Sequence, residues 1–345
     1  MIIIAMSQAS NSFAAADANN ANAANTRGAR AGRGGAGRGA GMNMGAGRGM
    51  GMGNMGFGRG GGGQQQRGPT EEEIKKIEDA MPTKAVVEPS KPRKILVFDM
   101  VDGYAHSSIP YWDKALEIMA EKTGAFTVTI SQDINMLKEE TLKDFDAVCF
   151  NNTVKLHLNP DTTPELCKSL MDFVKGGKGL FAIHAGTDTF YSPPWVWAEG
   201  SEMLGGKFTA HPWTDNGREW AIKIDEPDNP LMVPFKGKGF KIVDEIYETA
   251  PPLYSRDKQL VLMSLDMSDE LTKNTARQPY NVDTGISWIK KWGEGRVFYC
   301  SLGHNHAVTW TAPVLEHYLR GIQFALGDLE VDATPKPAKP VETEN

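Results

Sequence analysis

From Lys94 onward the chain alternates between two hydrophobic patterns. Ile95-Leu96-Val97-Phe98 is an unbroken apolar run, as expected of a strand covered on both faces, and residues 126–130, 146–150 and 179–183 read as the next three strands. Between them, residues 108–122 set Ile109, Trp112, Leu116 and Met119 at helical spacing, and residues 163–175 do so with Leu166, Leu170, Phe173 and Val174 before Gly176-Gly177. Strands alternating with helices predict an α/β fold with a mostly parallel sheet flanked by helices. The second half is less regular. Residues 194–204 read as a short helix, and 220–224, 240–247, 259–265, 285–292 and 296–301 as additional strands, several antiparallel. Residues 313–326 form a closing helix that Pro313 introduces.

Outside this pattern the chain changes character. Residues 17–68 are rich in Asn and Ala, then in Gly, Arg and Met, with too little large apolar surface to offset the entropy of ordering. The division is therefore a disordered segment (1–69), a short helix and linker (70–91), one α/β domain (92–328) and a polar tail (329–345). Within the second part, Thr70 is a candidate helix cap and Glu71–Glu73 suit a first turn. Residues 1–16 carry an apolar start and Ala14-Ala15-Ala16, which resembles a signal-peptidase site. If they are the remnant of a signal peptide, the protein is periplasmic or secreted, and otherwise cytoplasmic.

Charge narrows the partners. Residues 1–70 hold seven Arg, no Lys and one acid, so of the formal net −6 the remainder carries about −12. An acidic body argues against nucleic-acid binding by the folded domain, because phosphate contacts need clustered Lys and Arg. With seven Arg and Phe57 alone among aromatics, the Gly/Arg/Met-rich segment reads as a tether rather than an RNA-binding tract. No stretch approaches the roughly 20 apolar residues of a membrane span. The three cysteines, Cys149, Cys167 and Cys300, make no CxxC pair; Cys149 and Cys300 lie in apolar runs, as small hydrophobes do.

Candidate chemistry gathers after the strands, where open parallel sheets form their sites. The first strand leads into residues 99–108 with Asp102, Tyr104 and His106. The third leads into Asn151-Asn152, the fourth into His184 and Asp188, and the strand over 296–301 into His304, Asn305 and His306. Four of the seven histidines thus follow strands. His184, at a strand end and followed by Ala185-Gly186, has the form of a nucleophile elbow carrying imidazole in place of Ser or Cys. Imidazole serves as acid, base or metal ligand. His211 follows the pair Gly205-Gly206.

These segments carry a family resemblance. Gly177-Lys178-Gly179-Leu180-Phe181-Ala182-Ile183-His184-Ala185, Leu204-Gly205-Gly206-Lys207-Phe208 with His211-Pro212, and Asp244-Glu245-Ile246-Tyr247 resemble blocks of the ThuA-like (trehalose utilisation) family. So do Gly293-Glu294-Gly295-Arg296-Val297-Phe298-Tyr299 with Leu302-Gly303-His304, and the helix ending at Gly327. The resemblance implies a flavodoxin-like fold related to class I glutamine amidotransferases, with His184 where those enzymes keep a Cys. It also implies the metabolism of trehalose, other disaccharides or 3-keto sugars.

Two functions follow as expectations. The first is a hydrolase, lyase or isomerase of a sugar, His-based or metal-assisted, with His184, His106 and Glu245 as catalytic residues. Asp102, Tyr104, Asn151, Asp188, Trp213 and Asn305 would bind substrate, and His184, His211 and His304 would hold Zn or another divalent metal. Tyr104, Trp195, Trp197, Trp213 and Trp310 are candidates for stacking on a sugar face. The second is a sugar-binding or scaffold module that keeps the cleft without catalysis. Glutaminase activity is disfavoured, because it needs a thiolate at the elbow.

Overall fold

The computed structural model describes residues 67–192, 195–276 and 283–337. The expectations for residues 1–16 and for the Gly/Arg/Met-rich stretch up to residue 66 lie outside these residues, as does the end of the tail.

In chain order the elements are α1 (Glu71–Ala80), β1 (Lys94–Phe98), α2 (Ile109–Thr123), β2 (Thr127–Ser131), α3 (Glu139–Leu142), β3 (Ala147–Asn151), α4 (Pro164–Lys175) and β4 (Gly179–Ile183). A two-residue ribbon, β5 (Tyr191–Ser192) and β6 (Trp195–Val196), precedes α5 (Ala198–Leu204). Then come β7 (Phe208–Trp213), β8 (Trp220–Ile224), β9 (Phe240–Ile242), β10 (Ile246–Thr249), β11 (Leu260–Leu265), α6 (Glu270–Thr275), β12 (Gly285–Trp292), β13 (Gly295–Cys300) and α7 (Ala312–Ala325).

Among the described residues, nine strands form one sheet in the order β2-β1-β3-β4-β13-β12-β11-β8-β9. The pairings from β2 to β13 are parallel, and those from β13 to β9 are antiparallel. The parallel half has the flavodoxin-like order, which reverses beside β1 and opens a crevice at the carboxyl ends of its strands.

The unbroken apolar runs are explained by burial on both faces. Ile95, Val97, Cys149, Phe181, Ile183 and Phe298 turn to one side, where they pack with residues of α2 and α7. Their neighbours Leu96, Phe98, Val148, Phe150, Leu180 and Tyr299 turn to the other, toward residues of α4 and α5. Gly321 lets α7 lie directly on the sheet: a Cβ there would come within 2.4 Å of the Phe298 ring.

Thr70 caps α1 in a reciprocal capping box with Glu73, as the sequence suggested. The segment read as a linker is in fact fastened down. The amides of Val86 and Val87 donate to Gln323 Oε1 on α7, at 2.7 and 3.3 Å, and Arg93 pairs with the buried carboxylate of Asp328. The strand expected over 240–247 is two strands. β9 pairs with β8 inside the large sheet, whereas β10 leaves it to pair with β7. The break falls at residues 243–245, where an apolar run gives way to two acids that have other partners. β7 itself was not expected from the sequence, because Pro212 within the run argues against a strand. The helix expected over 194–204 begins only at Ala198, after β6. No described helix is long and apolar enough to cross a membrane.

Candidate functional site

β4 ends at Ile183, and the next residue turns the chain sharply. His184 has φ +46°, a left-handed conformation that costs a non-glycine residue about 1–2 kcal/mol. A short 3₁₀ turn, His184–Asp188, follows at once. Gly186 permits this tight geometry, since a Cβ there would sit 2.5 Å from Ala182 Cβ. The elbow expected from the sequence is thus formed, with imidazole at its tip.

That imidazole has a defined tautomer. His184 Nδ1–H donates to the carbonyl oxygen of Ser301 at 2.8 Å, so the lone pair lies on Nε2. The Tyr299 hydroxyl donates to the carbonyl of His184 at 2.8 Å and holds the elbow from beneath. Nε2 is buried and has no hydrogen-bond partner among the described residues.

Three other loops bring side chains to this nitrogen. One ligating atom each from His106, His184, Glu245 and His304 all lie within 4.8 Å of one another. Glu245 Oε1 is 3.7 Å from His184 Nε2 and 3.6 Å from His304 Nδ1. These separations are too long for good hydrogen bonds. They are close to the roughly 3.4 Å between two ligands of a tetrahedral ion with bonds of about 2.1 Å. The His106 and His184 rings meet edge to face at 5.1 Å, and His106 and His304 at 5.3 Å.

Electrostatics keep the three rings neutral. Burial drives His184 well below the usual histidine range, with the neighbouring His304 adding to the shift. Burial also takes His106 down to about 2, reinforced by His184 and His304, and lowers His304 despite the opposing pull of Glu245. Neutral imidazoles crowded around one carboxylate, with the lone pair of His184 facing it, are the donor set of a borderline divalent cation. The residues present therefore fit a metal.

The surrounding residues hold these loops in place. Asp244, fully buried, accepts the amides of Gly303 and Asn305 at 2.7 Å each and so ties down the loop that carries His304. Tyr247, two residues beyond Glu245, places its hydroxyl 3.3 Å from His106 Nε2, and burial raises its phenol so that it stays neutral. Asp244 and Tyr247 were visible only as members of a resembling block. Their roles depend on contacts across the fold that no local pattern announces.

Other expected residues are distributed differently. His211 lies outside the group of four: half its side chain is exposed, and its Nδ1 faces Glu245 Oε2 at 3.3 Å. Asn151 is fully buried as the last residue of β3, where its side-chain amide donates to the Ile109 carbonyl and to Asp113. Trp213 is also buried, with its indole N–H on the Thr272 carbonyl at 2.9 Å. It borders a separate cavity of about 500 Å³ beside Pro251, Tyr254 and Arg256, and none of the four clustered residues lines that cavity. Trp197 packs on Phe190 in the core.

The remaining residues surround the cluster or its loops. Tyr104 is 65% exposed and meets the His106 ring edge-on at 4.8 Å. Asp102 pairs with His157 at the surface. Asn305 caps the turn after His304, and its side-chain amide reaches Asp215 at 3.3 Å. Asp188 closes the elbow turn, and burial raises its carboxyl to about 7, with Lys155 and Lys207 opposing the shift.

The family model described as ThuA, trehalose utilisation, matches residues 94–325. The chain belongs to this family. Among solved structures, a ThuA-like protein from Bacteroides uniformis is 17% identical, with a TM-score of 0.50 over 68% of this chain and 92% of its own. One from Parabacteroides merdae is 18% identical, with a TM-score of 0.48 over 68% of this chain and 90% of its own. At 17% identity the likeness to the first concerns the fold alone. No curated protein matches the chain. The ThuA domain has a glutamine amidotransferase-like fold, but no thiol stands at its elbow. Cys149, Cys167 and Cys300 are all buried, and burial pushes each thiol up, Cys300 to about 12.

Proposed function

We propose that this ThuA protein is a metal-dependent enzyme acting on a sugar or oxidised sugar, with His106, His184, Glu245 and His304 holding one divalent cation such as Zn²⁺. The observation that carries the reading is the convergence of four donors from four loops within 4.8 Å, with His184 Nε2 and His304 Nδ1 buried and without hydrogen-bond partners.

When bound, such an ion supplies Lewis-acid polarisation of a carbonyl oxygen or a water acidified toward neutrality. The chain's own residues do the rest. Ser301 and Tyr299 orient His184, and Asp244 orients the loop of His304. Asp188, raised to about 7, is poised to give or take a proton near neutral pH. Exposed Tyr104, beside His106, offers a face for a sugar ring, while Asp102, His211 and Asn305 offer polar contacts for hydroxyl groups. The family's description, trehalose utilisation, supports a saccharide as the ligand.

The test is metal content of the purified chain together with turnover of disaccharides and 3-keto disaccharides. Bound metal lost in His184→Ala, along with turnover, supports the enzyme. Sugar binding that persists in that variant, with no turnover by the parent chain, supports a binding module instead.

A further inference from the structure

His306 is outside the cluster, yet it joins two of the loops that build it. It follows His304 by two positions, and its Nε2 shares a hydrogen bond of 2.9 Å with Ser107 Oγ, the residue after His106. The two loops are 199 positions apart in the chain. The other side of the joint is aromatic. The His306 ring stacks on Tyr111 at 3.9 Å between centroids, with the planes 16° apart. Tyr111 sits in the first turn of α2 and is itself held, because Arg67 donates to its hydroxyl at 3.1 Å while pairing with Glu73 of α1 at 3.0 Å. Arg67 and α1 precede residue 94, where the family match begins.

We infer that His306 is a positioning residue that sets the distance between the His106 and His304 side chains, with Arg67 and α1 bracing it from outside the family domain. The inference rests on the metal reading above. A stacked ring and a hydrogen bond together fix both the separation and the rotation of the two loops, which neither could fix alone. Each ligand lies only one or two residues from the joint, so a small slippage there moves a ligating nitrogen by a comparable amount. Groups that orient metal ligands from behind typically matter by 10–100-fold in affinity.

The experiment is a titration of the metal-free full chain with Co²⁺, read by its visible absorption, for the parent, His306→Ala, His306→Gln and Ser107→Ala. We expect His306→Ala to weaken Co²⁺ binding about tenfold or more and to change the band shape. The glutamine, which can still bond Ser107 but cannot stack, should recover part of the loss. Ser107→Ala, the milder change, serves if His306→Ala does not fold. Unfolding midpoints of the metal-free variants separate a loosened site from a loosened fold: loss of cobalt affinity only in step with a lower midpoint overturns the inference. A parent that binds Co²⁺ and variants that bind it with the same affinity and spectrum also overturn it. A parent that binds no Co²⁺ overturns the metal reading itself, and this inference with it.

Discussion

The imidazole of His184 donates its Nδ1–H to the Ser301 carbonyl at 2.8 Å, and the pair brings the end of β4 against the end of β13. Because those strands are parallel neighbours, both loops leave the sheet at the same edge. The bond also decides which nitrogen of His184 faces Glu245.

His184→Asn is the most informative single change. Asparagine tolerates a left-handed backbone, so the elbow should survive, with stability altered by about 1–2 kcal/mol. Metal binding and turnover should both disappear. Thermal unfolding beside metal analysis checks this, and a variant that keeps its metal would exclude His184 as a ligand.

Glu245→Gln keeps the shape of the side chain but removes the charge facing His184, His211 and His304. Metal affinity should fall at least 10–100-fold, with little effect on the unfolding midpoint of the metal-free chain. Competition with a chromogenic chelator measures it.

Chelation should lower the unfolding temperature of the parent, because a ligand that binds only the folded state adds RT ln(1 + [L]/Kd) to stability. At 1,000 times Kd this amounts to about 4 kcal/mol. The shift should vanish in His184→Asn. An identical shift in that variant would place the chelator's effect elsewhere.

Gly186→Ala should damage the elbow itself. The added methyl would lie 2.5 Å from Ala182 Cβ and 3.1 Å from the Phe150 carbonyl oxygen, both in the packed interior. Overpacking of this kind costs about 1–3 kcal/mol. Denaturant unfolding should show that loss, and metal affinity should fall with it.

Acid stability should depend in part on a histidine outside the cluster. His317 is fully buried between Leu231 and Ser287, and burial lowers it to about 4. The unfolded chain protonates this ring below about 6.5 while the folded one resists until about 4, so stability falls as pH drops through that window. The full effect is about 3 kcal/mol. His317→Gln should make the dependence shallower between those limits, leaving the part that the buried His106 and His184 contribute, as measured by urea midpoints at successive pH values.

The parallel half of the fold was legible in the sequence because β1, β3 and β4 are buried on both faces and its helices on one. Local hydrophobic pattern is then sufficient, as in Ile95–Phe98 and in α4. Pattern failed where tertiary partners override it. β10 leaves the large sheet to pair with β7, and the 82–93 segment is held by Gln323 and Asp328 rather than by its own composition.

Within the site, the sequence identified His106, His184 and His304 individually, since polar residues after strands collect at one edge of a parallel sheet, and Glu245 through the block that resembles the family. It could not rank them against His211, Asn151 or Trp213, because a side chain's direction depends on backbone turns and contacts far along the chain. Only the folded structure set His211 at the rim, buried Asn151 and Trp213, and made Asp244 and His306 the anchors of loops that local sequence leaves unconnected. The periodicity of burial is a short-range property, written into neighbouring residues. The convergence of four donors on one point is a long-range property, which exists only once the sheet has aligned its strand ends.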